Sequence, residues 1–191
     1  MRLFIGIKFE EKTIRNFNFQ IELLKKYIPE GIRWIHRDSF HITLKFLGEI
    51  RNPDINLLLN LITIAFSGDK LLYLSTTKLG IFPNHKKPHT LWMGMGGLNL
   101  SELIHRQDYL ENLMADNGFQ MDTHKYIPHL TIGRIQKNIH KSALNKLLKY
   151  VEMNDFDMNI HFEIKEICLM KSNMDSKGVS YETLAAYQLS I

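Results

Sequence analysis

The sequence contains a single cysteine, Cys168, in a chain of 191 residues. One thiol cannot form an intramolecular disulfide or a site with several thiolate ligands, so disulfide frameworks and cysteine-rich zinc modules are excluded. The chain also has no run of eighteen apolar residues, which excludes a conventional membrane-spanning helix. Its start, Met1 to Phe9, is short and alternating, as in a first strand rather than a secretory signal. We therefore expect a reduced, cytoplasmic protein.

Extremes of composition are missing as well. Apolar residues make up 45% of the chain and charged residues 23%, which is typical of a globular domain and excludes disordered or collagen-like proteins. There are 24 lysines and arginines against 20 acidic residues, a formal net charge of +4. A mildly basic surface is compatible with a polyanionic partner but does not require one.

The motifs of several enzyme classes are absent. The sequence has no Walker-type phosphate loop, no Gly-x-Gly-x-x-Gly fingerprint and no Gly-x-Ser-x-Gly elbow. It also has no His-Glu-x-x-His helix, and His85 and His89 lie in a basic loop, where they form at most a chance metal pair. We therefore expect no bound metal and no cofactor.

What the chain does have is a hydrophobic pattern that changes between helix and strand periods, which predicts an α+β fold. Helices are expected near 11–28, 53–65, 99–117 and 140–151, and strands near 3–9, 32–35, 40–47, 71–79, 90–95, 126–135, 160–170 and 181–189. The strand at 40–47 is the clearest, because its apolar residues Phe40, Ile42, Leu44 and Phe46 alternate with polar ones and are predicted to face the core.

The second half of the chain repeats the first at an offset of 88 residues. Leu3 falls on Leu91, Phe4 falls on Trp92, and the motif at 41–44 falls on that at 129–132. A repeat at a fixed offset predicts two related lobes. We expect residues 1–191 to form a single domain of two pseudo-two-fold-related lobes, each an antiparallel sheet with helices on its outer face, with a cleft between them. The alternative is two unrelated α+β halves that align by chance.

The repeated motif carries the candidate chemistry. It reads His41-Ile42-Thr43 in the first half and His129-Leu130-Thr131 in the second. Residues i and i+2 of a strand share a face, so each histidine lies beside a threonine. A histidine transfers a proton near neutral pH, and a hydroxyl donates to an anionic oxygen. Two such strands facing each other would suit phosphodiester chemistry, with one imidazole as base and the other as acid. The alternative for each histidine is a structural role.

Arg134 is a further candidate, because a guanidinium can clamp a phosphate. Strict alternation along the strand places it on the face opposite His129, so it reaches the site only if the strand ends or bulges near Gly133. Lys45 shares the face of His41 and is expected to line the cleft or lie at its rim. The remaining candidates are either core aromatics or base-stacking rings at Phe82, Trp92 and Tyr126, and either solvated or RNA-binding lysines at Lys86 and Lys87.

The segments HITLKFLGE, from His41, and PHLTIGR, from Pro128, resemble the two signature motifs of the 2H phosphoesterases. The resemblance covers essentially the whole chain and is closest to the RNA 2′,3′-cyclic phosphodiesterases, historically called 2′-5′ RNA ligases. It implies a bilobal fold and metal-independent opening of a terminal 2′,3′-cyclic phosphate to a 2′-phosphomonoester. By position in the motifs, His41 would be the proton donor and His129 the proton acceptor, and Thr43 and Thr131 would hold the phosphate oxygens. The chain departs from the family pattern at Ile132-Gly133, just before Arg134.

The resemblance also implies reversible 2′-5′ joining of RNA, including tRNA halves, without a nucleotide cofactor. We therefore expect an RNA 2′,3′-cyclic 3′-phosphodiesterase that acts as a monomer on RNA ends, tRNA fragments among them. Two alternatives remain open at this point. One is a non-catalytic RNA-binding module, and the other is a 2H enzyme that acts on a small cyclic nucleotide or a 2′-5′ oligonucleotide.

Overall fold

The computed structural model describes residues 1–28, 30–51, 53–68, 70–153, 159–175 and 178–190. Within these residues the chain forms nine strands and four α-helices, so the predicted α+β class is confirmed. In chain order they are β1 (Arg2–Lys8), α1 (Glu11–Tyr27), β2 (Ile32–Trp34), β3 (His41–Glu49), α2 (Ile55–Phe66), β4 (Leu72–Phe82), β5 (Thr90–Gly96), α3 (Leu100–Asp116), β6 (His129–Ile135), α4 (Lys141–Met153), β7 (His161–Ile164), β8 (Glu166–Asp175) and β9 (Gly178–Gln188).

The strands form one curled antiparallel sheet in the order β7-β4-β5-β6-β3-β1-β8-β9, with β2 added beside β6. Between β3 and β6 the described ladder consists of one pair, Ile42 opposite Leu130. The sheet therefore divides at this junction into a first half-sheet (β3, β1, β8, β9) and a second half-sheet (β7, β4, β5, β6, β2). The two-lobed architecture is confirmed, but backbone hydrogen bonding continues from one lobe into the other, which two separate sheets would not show.

Each half-sheet is built from both halves of the chain. Strand β4 belongs to the first half but pairs with β5 of the second, and β8 of the second half pairs with β1 of the first. Neither lobe is therefore a continuous segment. Because each repeat contributes strands to the other lobe, the two halves of the chain cannot separate without the loss of a complete strand ladder.

The helices cover the apolar side of the sheet. On α1, the Phe17 ring packs edge-on against Phe9 and against Phe162 of β7. Helix α2 packs on α3 and on β8 and β9, and its first turn is capped by the Asp54 carboxylate, which accepts from the Leu57 amide at 2.9 Å. No helix among the described residues has both the length and the hydropathy needed to cross a lipid bilayer.

Two β-bulges recur at equivalent places in the two halves. The β1–β3 register steps from Gly6 opposite Thr43 to Ile5 opposite Lys45, which leaves Leu44 as an extra residue. The β5–β6 register steps in the same way across Ile132, 88 residues later. An extra residue shifts the alternation of side chains along the rest of its strand. Each bulge directly follows a His-x-Thr motif, so it decides which later side chains reach the face of the histidines.

Candidate active site

The junction between β3 and β6 brings the two motifs together. Ile42 and Leu130 face each other there and are fully buried. Because successive side chains of a strand point to opposite faces, the four flanking motif residues emerge on the other face. All four are partly exposed: His41 and Thr43 on β3, His129 and Thr131 on β6. The structure therefore places the four motif side chains predicted from sequence on one face, at the boundary of the two lobes.

Both histidine rings are held by the same contact. Nδ1 of His41 lies 2.8 Å from the carbonyl oxygen of Ser39, and Nδ1 of His129 lies 2.7 Å from that of Ile127. A carbonyl oxygen only accepts hydrogen bonds, so each Nδ1 carries a proton and donates it. In the neutral ring the other nitrogen, Nε2, then has a free lone pair. In each half this arrangement leaves Nε2 as the ring nitrogen that is able to accept a proton.

Each imidazole is also enclosed by two aromatic rings. The centroid of the His41 ring lies 4.9 Å from that of Phe4 and 4.6 Å from that of Tyr181. The His129 centroid lies 4.9 Å from that of Phe82 and 5.8 Å from that of Trp92, the repeat partner of Phe4. The sequence leaves Phe82 and Trp92 between core and base stacking, and the structure places both against His129. The sequence does not identify Tyr181 as a site residue, because it is distant along the chain from His41.

The environment of the rings disfavours their charged forms. Burial lowers the pKa of His41 to about 4, against the opposing effect of the Ser39 carbonyl, and the positive charges of His129 and Arg134 lower it further. Burial likewise lowers the pKa of His129, and Arg134 adds to the shift. Both histidines are therefore neutral at pH 7 in this structure. The positive charge of Arg134 therefore acts on both rings.

Arg134 reaches the histidine face because of the second bulge. With Ile132 as the extra residue, Arg134 falls opposite Thr90 on the side of Thr131. Its guanidinium donates to the Thr90 hydroxyl, and burial lowers its pKa. The condition set by the sequence, a bulge near Gly133, is met.

A cavity of about 1050 Å³ opens beside the motifs and is lined by both Thr43 and His129. Apolar side chains predominate in its lining, among them Phe46, Phe82, Ile104 and Ile127. The prediction that Phe46 faces the core is wrong, because the bulge at Leu44 turns it outwards and leaves it 64% exposed. In the repeat, Phe46 occupies the place of Arg134. The site is therefore asymmetric, with an aromatic ring on the β3 side and a guanidinium on the β6 side.

A buried ion pair forms the floor of this cavity. Lys45, expected to line the cleft or lie at its rim, is only 3% exposed and donates to Glu111 of α3, which is 7% exposed. The same ammonium donates to the carbonyl of Gln120 at 2.8 Å, and Glu111 accepts from the amide of Asp122 at 2.7 Å. The pair therefore ties β3 to α3 and to the segment that leads to His129. The bulge at Leu44, which turns Phe46 outwards, also moves the Lys45 side chain off the face of His41.

Of the other sequence candidates, Tyr126 lines the cavity, whereas His85, Lys86 and Lys87 do not. The amides of Lys86 and Lys87 donate to the Asn84 side chain at 3.0 and 3.1 Å, which stabilises a turn. His85 lies 3.3 Å from the carboxylate of Glu152 on α4. The Tyr126 ring lines the cavity, and burial raises the pKa of its hydroxyl. The part of the chain that the structure describes contains no cluster of three or more histidine, cysteine or acidic side chains able to hold a metal.

The family model for LigT-like phosphoesterases matches this chain twice, over residues 10–92 and 99–181. The chain belongs to the LigT-like phosphoesterase family. A relative in this family, the RNA 2′,3′-cyclic phosphodiesterase of Methanocaldococcus jannaschii, is 31% identical and aligns over 96% of this chain and 98% of its own length. The RNA 2′,3′-cyclic phosphodiesterase of Aquifex aeolicus is 30% identical and aligns over 99% of this chain and 97% of its own.

Two solved structures share the fold of this chain. E. coli LigT complexed with 3′-AMP matches with a TM-score of 0.77 and 21% identity, over 100% of this chain and 98% of that one. A protein of Thermus thermophilus matches with a TM-score of 0.78 and 18% identity, over 99% of this chain and 98% of that one. At these identities the likeness concerns the two-lobed fold. The family match makes the chain a phosphoesterase, which is the enzyme class predicted from its two motifs.

Proposed function

We propose that this LigT-like phosphoesterase hydrolyses the 2′,3′-cyclic phosphate at the end of an RNA chain and leaves a 2′-phosphomonoester. The observation that carries the proposal is the pair of histidines at the lobe junction, each with Nδ1 held by a backbone carbonyl so that Nε2 is available. Two positioned imidazoles can supply the base and the acid of a phosphodiester hydrolysis. The names of the relatives from M. jannaschii and A. aeolicus support the same substrate class.

The proposed reaction runs as one displacement at phosphorus. Nε2 of neutral His129 takes a proton from water as the water oxygen bonds to phosphorus. The bond from phosphorus to O3′ breaks, and the imidazolium of His41 gives its Nε2 proton to that oxygen. Water is consumed, a free 3′-hydroxyl forms, and the phosphate stays on O2′. Thr43 and Thr131 donate to the non-bridging oxygens, where negative charge grows, and Arg134 balances that charge.

The lowered pKa values predict how the rate depends on pH. Below the pKa of His129 the base is protonated, and above the pKa of His41 the acid has lost its proton, so kcat/KM follows a bell. Because both pKa values are lowered, and kcat/KM reports the free enzyme, we expect the maximum of the bell below the ordinary histidine pKa of about 6.5. The bound phosphate raises both pKa values, so the bell for kcat lies at higher pH. The limbs report the coupled pair. A kcat/KM that still rises at pH 9 would contradict this acid–base pair.

Loss of the threonine hydroxyls separates oxyanion binding from proton transfer. Thr43→Val and Thr131→Val keep the β-branched shape and the preference for strands. Removal of one oxyanion donor costs about 2.7–4 kcal/mol in a preorganised site, and less is expected in a partly solvated cleft. Steady-state kinetics should show kcat lowered by more than KM is raised, with the melting temperature nearly unchanged. Unchanged kcat in both variants would remove the hydroxyls from the site.

The hydrolysis itself is tested with a short RNA that ends in a 2′,3′-cyclic phosphate, incubated with the protein and EDTA. The expected product gains one water and becomes sensitive to alkaline phosphatase, and chromatography against 2′- and 3′-phosphate standards identifies the ester oxygen that keeps the phosphate. A 3′-phosphate product would reverse the roles of the two ester oxygens. Tight RNA binding without turnover would instead favour an RNA-binding module.

The same geometry permits 2′-5′ joining of RNA ends, including tRNA halves. A 5′-hydroxyl in the place of water would attack phosphorus, and His129 would take its proton while O3′ leaves as before. The cavity of about 1050 Å³ lies on the His129 side, where such a nucleoside would enter. The expected product of two suitable RNA ends is a 2′-5′ linkage, which resists nucleases specific for 3′-5′ bonds.

A further inference from the structure

A second, smaller pocket includes Arg134 and shares no lining residue with the large cavity. Its volume is about 340 Å³, and Arg33, His89, Arg134 and Lys137 line it together with Ile135 and Gln136. No carboxylate is among these described lining residues, so the pocket carries three permanent positive charges and a histidine. We call it the basic pocket.

The strand register brings two of these cations side by side. Arg33 of β2 lies directly opposite Arg134 of β6, and Arg134 lies opposite Thr90 of β5. Residues opposite each other on neighbouring strands share a face, so Arg33 lies on the side of the sheet that carries Thr131 and His129. The basic pocket and the histidine pair therefore lie on one continuous face, with Arg134 between them.

This arrangement is unfavourable without an anion. Two like charges opposite each other on adjacent strands repel, and burial followed by the charge of Arg33 lowers the pKa of Arg134. The hydroxyl of Thr90 accepts a hydrogen bond from the Arg134 guanidinium and so holds Arg134 in place. The same hydroxyl lies 3.1 Å from Nδ1 of His89. Guanidinium groups present several donors in a fixed plane that matches phosphate oxygens.

We propose that the basic pocket is a second phosphate subsite, which binds the phosphodiester on the 5′ side of the terminal nucleotide. The proposal rests on the proposed function, because it takes the cyclic phosphate to lie between the histidines. A cyclic phosphate ends its chain, so every other phosphate of that RNA lies on its 5′ side. Arg134 would contact both phosphates, and Arg33 and Lys137 would contact only the second.

The subsite makes the enzyme selective for a chain over a single nucleotide. We expect kcat/KM to be higher for a dinucleotide with a terminal 2′,3′-cyclic phosphate than for a nucleoside 2′,3′-cyclic phosphate. Removal of one hydrogen bond to a charged group weakens binding by about tenfold or more. We define the ratio as kcat/KM for the dinucleotide divided by kcat/KM for the nucleoside 2′,3′-cyclic phosphate. The double variant Arg33→Gln/Lys137→Gln should therefore lower this ratio by at least about tenfold. Higher salt weakens contacts between cationic side chains and phosphate, so it should also lower this ratio in the unmodified protein.

Matched controls remove the same charges elsewhere. Arg15 on α1 and Lys146 on α4 are exposed and lie outside both pockets, so Arg15→Gln/Lys146→Gln should leave the ratio unchanged. Arg33→Lys keeps the charge but not the planar group. In combination with Lys137→Gln it should give a ratio between that of the double variant and that of the unmodified protein. Melting curves confirm that each variant is folded.

Two results would overturn the subsite: equal kcat/KM values for the two substrates in the unmodified protein, or an unchanged ratio in the double variant. An unchanged ratio with an equal loss on both substrates would mean that Arg33 acts only through Arg134 on the terminal phosphate. If neither substrate is hydrolysed, the proposed function fails. The affinities of the 2′-phosphorylated mononucleotide and dinucleotide then decide the subsite, because binding needs no turnover, and a missing dinucleotide preference would overturn it.

Discussion

His41→Ala and His129→Ala should each lower kcat by about 10²–10⁴-fold, the usual contribution of one general acid or base. Each ring is partly exposed, and its polar contact is with the backbone carbonyl two residues earlier in the chain, that of Ser39 or Ile127. Both variants should therefore fold. Turnover of an RNA that ends in a 2′,3′-cyclic phosphate gives the rate, and circular dichroism gives the fold.

The two variants should also differ in their pH profiles. Without His41 no acid is lost as the pH rises, so the alkaline limb should flatten. Without His129 the acidic limb should flatten for the corresponding reason. His161→Ala is the matched control, because His161 is exposed on β7 at the far edge of the sheet. A near-normal kcat in either site variant, or identical profiles in both, would contradict the assignment of one acid and one base.

The second large effect concerns the ion pair beneath the cavity. Glu111→Gln leaves the buried ammonium of Lys45 without a counter-charge, which costs about 3–5 kcal/mol when one partner of a buried pair is removed. The free energy of unfolding, from urea titration, should fall by that amount. The segment between α3 and His129 should loosen as well, because Glu111 also accepts from the Asp122 amide.

A double variant separates the charge from the packing. Lys45→Met/Glu111→Leu removes both charges and keeps apolar volume, and replacement of a buried pair by apolar residues is often neutral or stabilising. We expect it to recover most of the stability lost in Glu111→Gln. A loss below about 1 kcal/mol in the single variant would mean that the pair behaves like a solvated surface pair, and the buried floor of the cavity would be wrong.

Much of the fold is local in origin and could be predicted. The apolar spacing of Ile14, Phe17, Ile21 and Leu24 is that of an amphipathic helix, and α1 begins at Glu11 as expected. Alternation predicts β3 correctly as far as Thr43. The recurrence of His-x-Thr on two such strands at a fixed offset predicts that the two histidines act together, and the structure supplies the contact between β3 and β6.

The bulges could not be predicted from the pattern. The sequence alternates smoothly from Phe40 to Phe46, so nothing local reveals that Leu44 is an extra residue. Its presence depends on the pairing of β3 with β1, which is set by tertiary packing. The same effect reverses the expectation for Phe46 and brings Arg134 to the histidine face.

Long-range contacts account for the other omissions. Tyr181 reaches His41 because β9 lies at the edge of the first half-sheet, beside β8. The pairing of β4 with β5, and of β8 with β1, joins strands from different halves of the chain. It depends on which strand edges are left unpaired once β3 and β6 have their partners. Lys45 and Glu111 read as ordinary polar residues in sequence, and only the packing of α3 on β3 makes them a buried pair.

The central claim is that one phosphate binds between His41 and His129. It is tested most directly by a crystal structure of the protein with adenosine 2′-monophosphate, the kind of product that the proposed reaction releases. We expect phosphate oxygens within about 2.6–3.2 Å of both Nε2 atoms, the range of a hydrogen bond to a catalytic group, with Thr43 and Thr131 as further donors. A phosphate bound only in the turn at Lys86 and Lys87, with both histidines free of it, would contradict the claim.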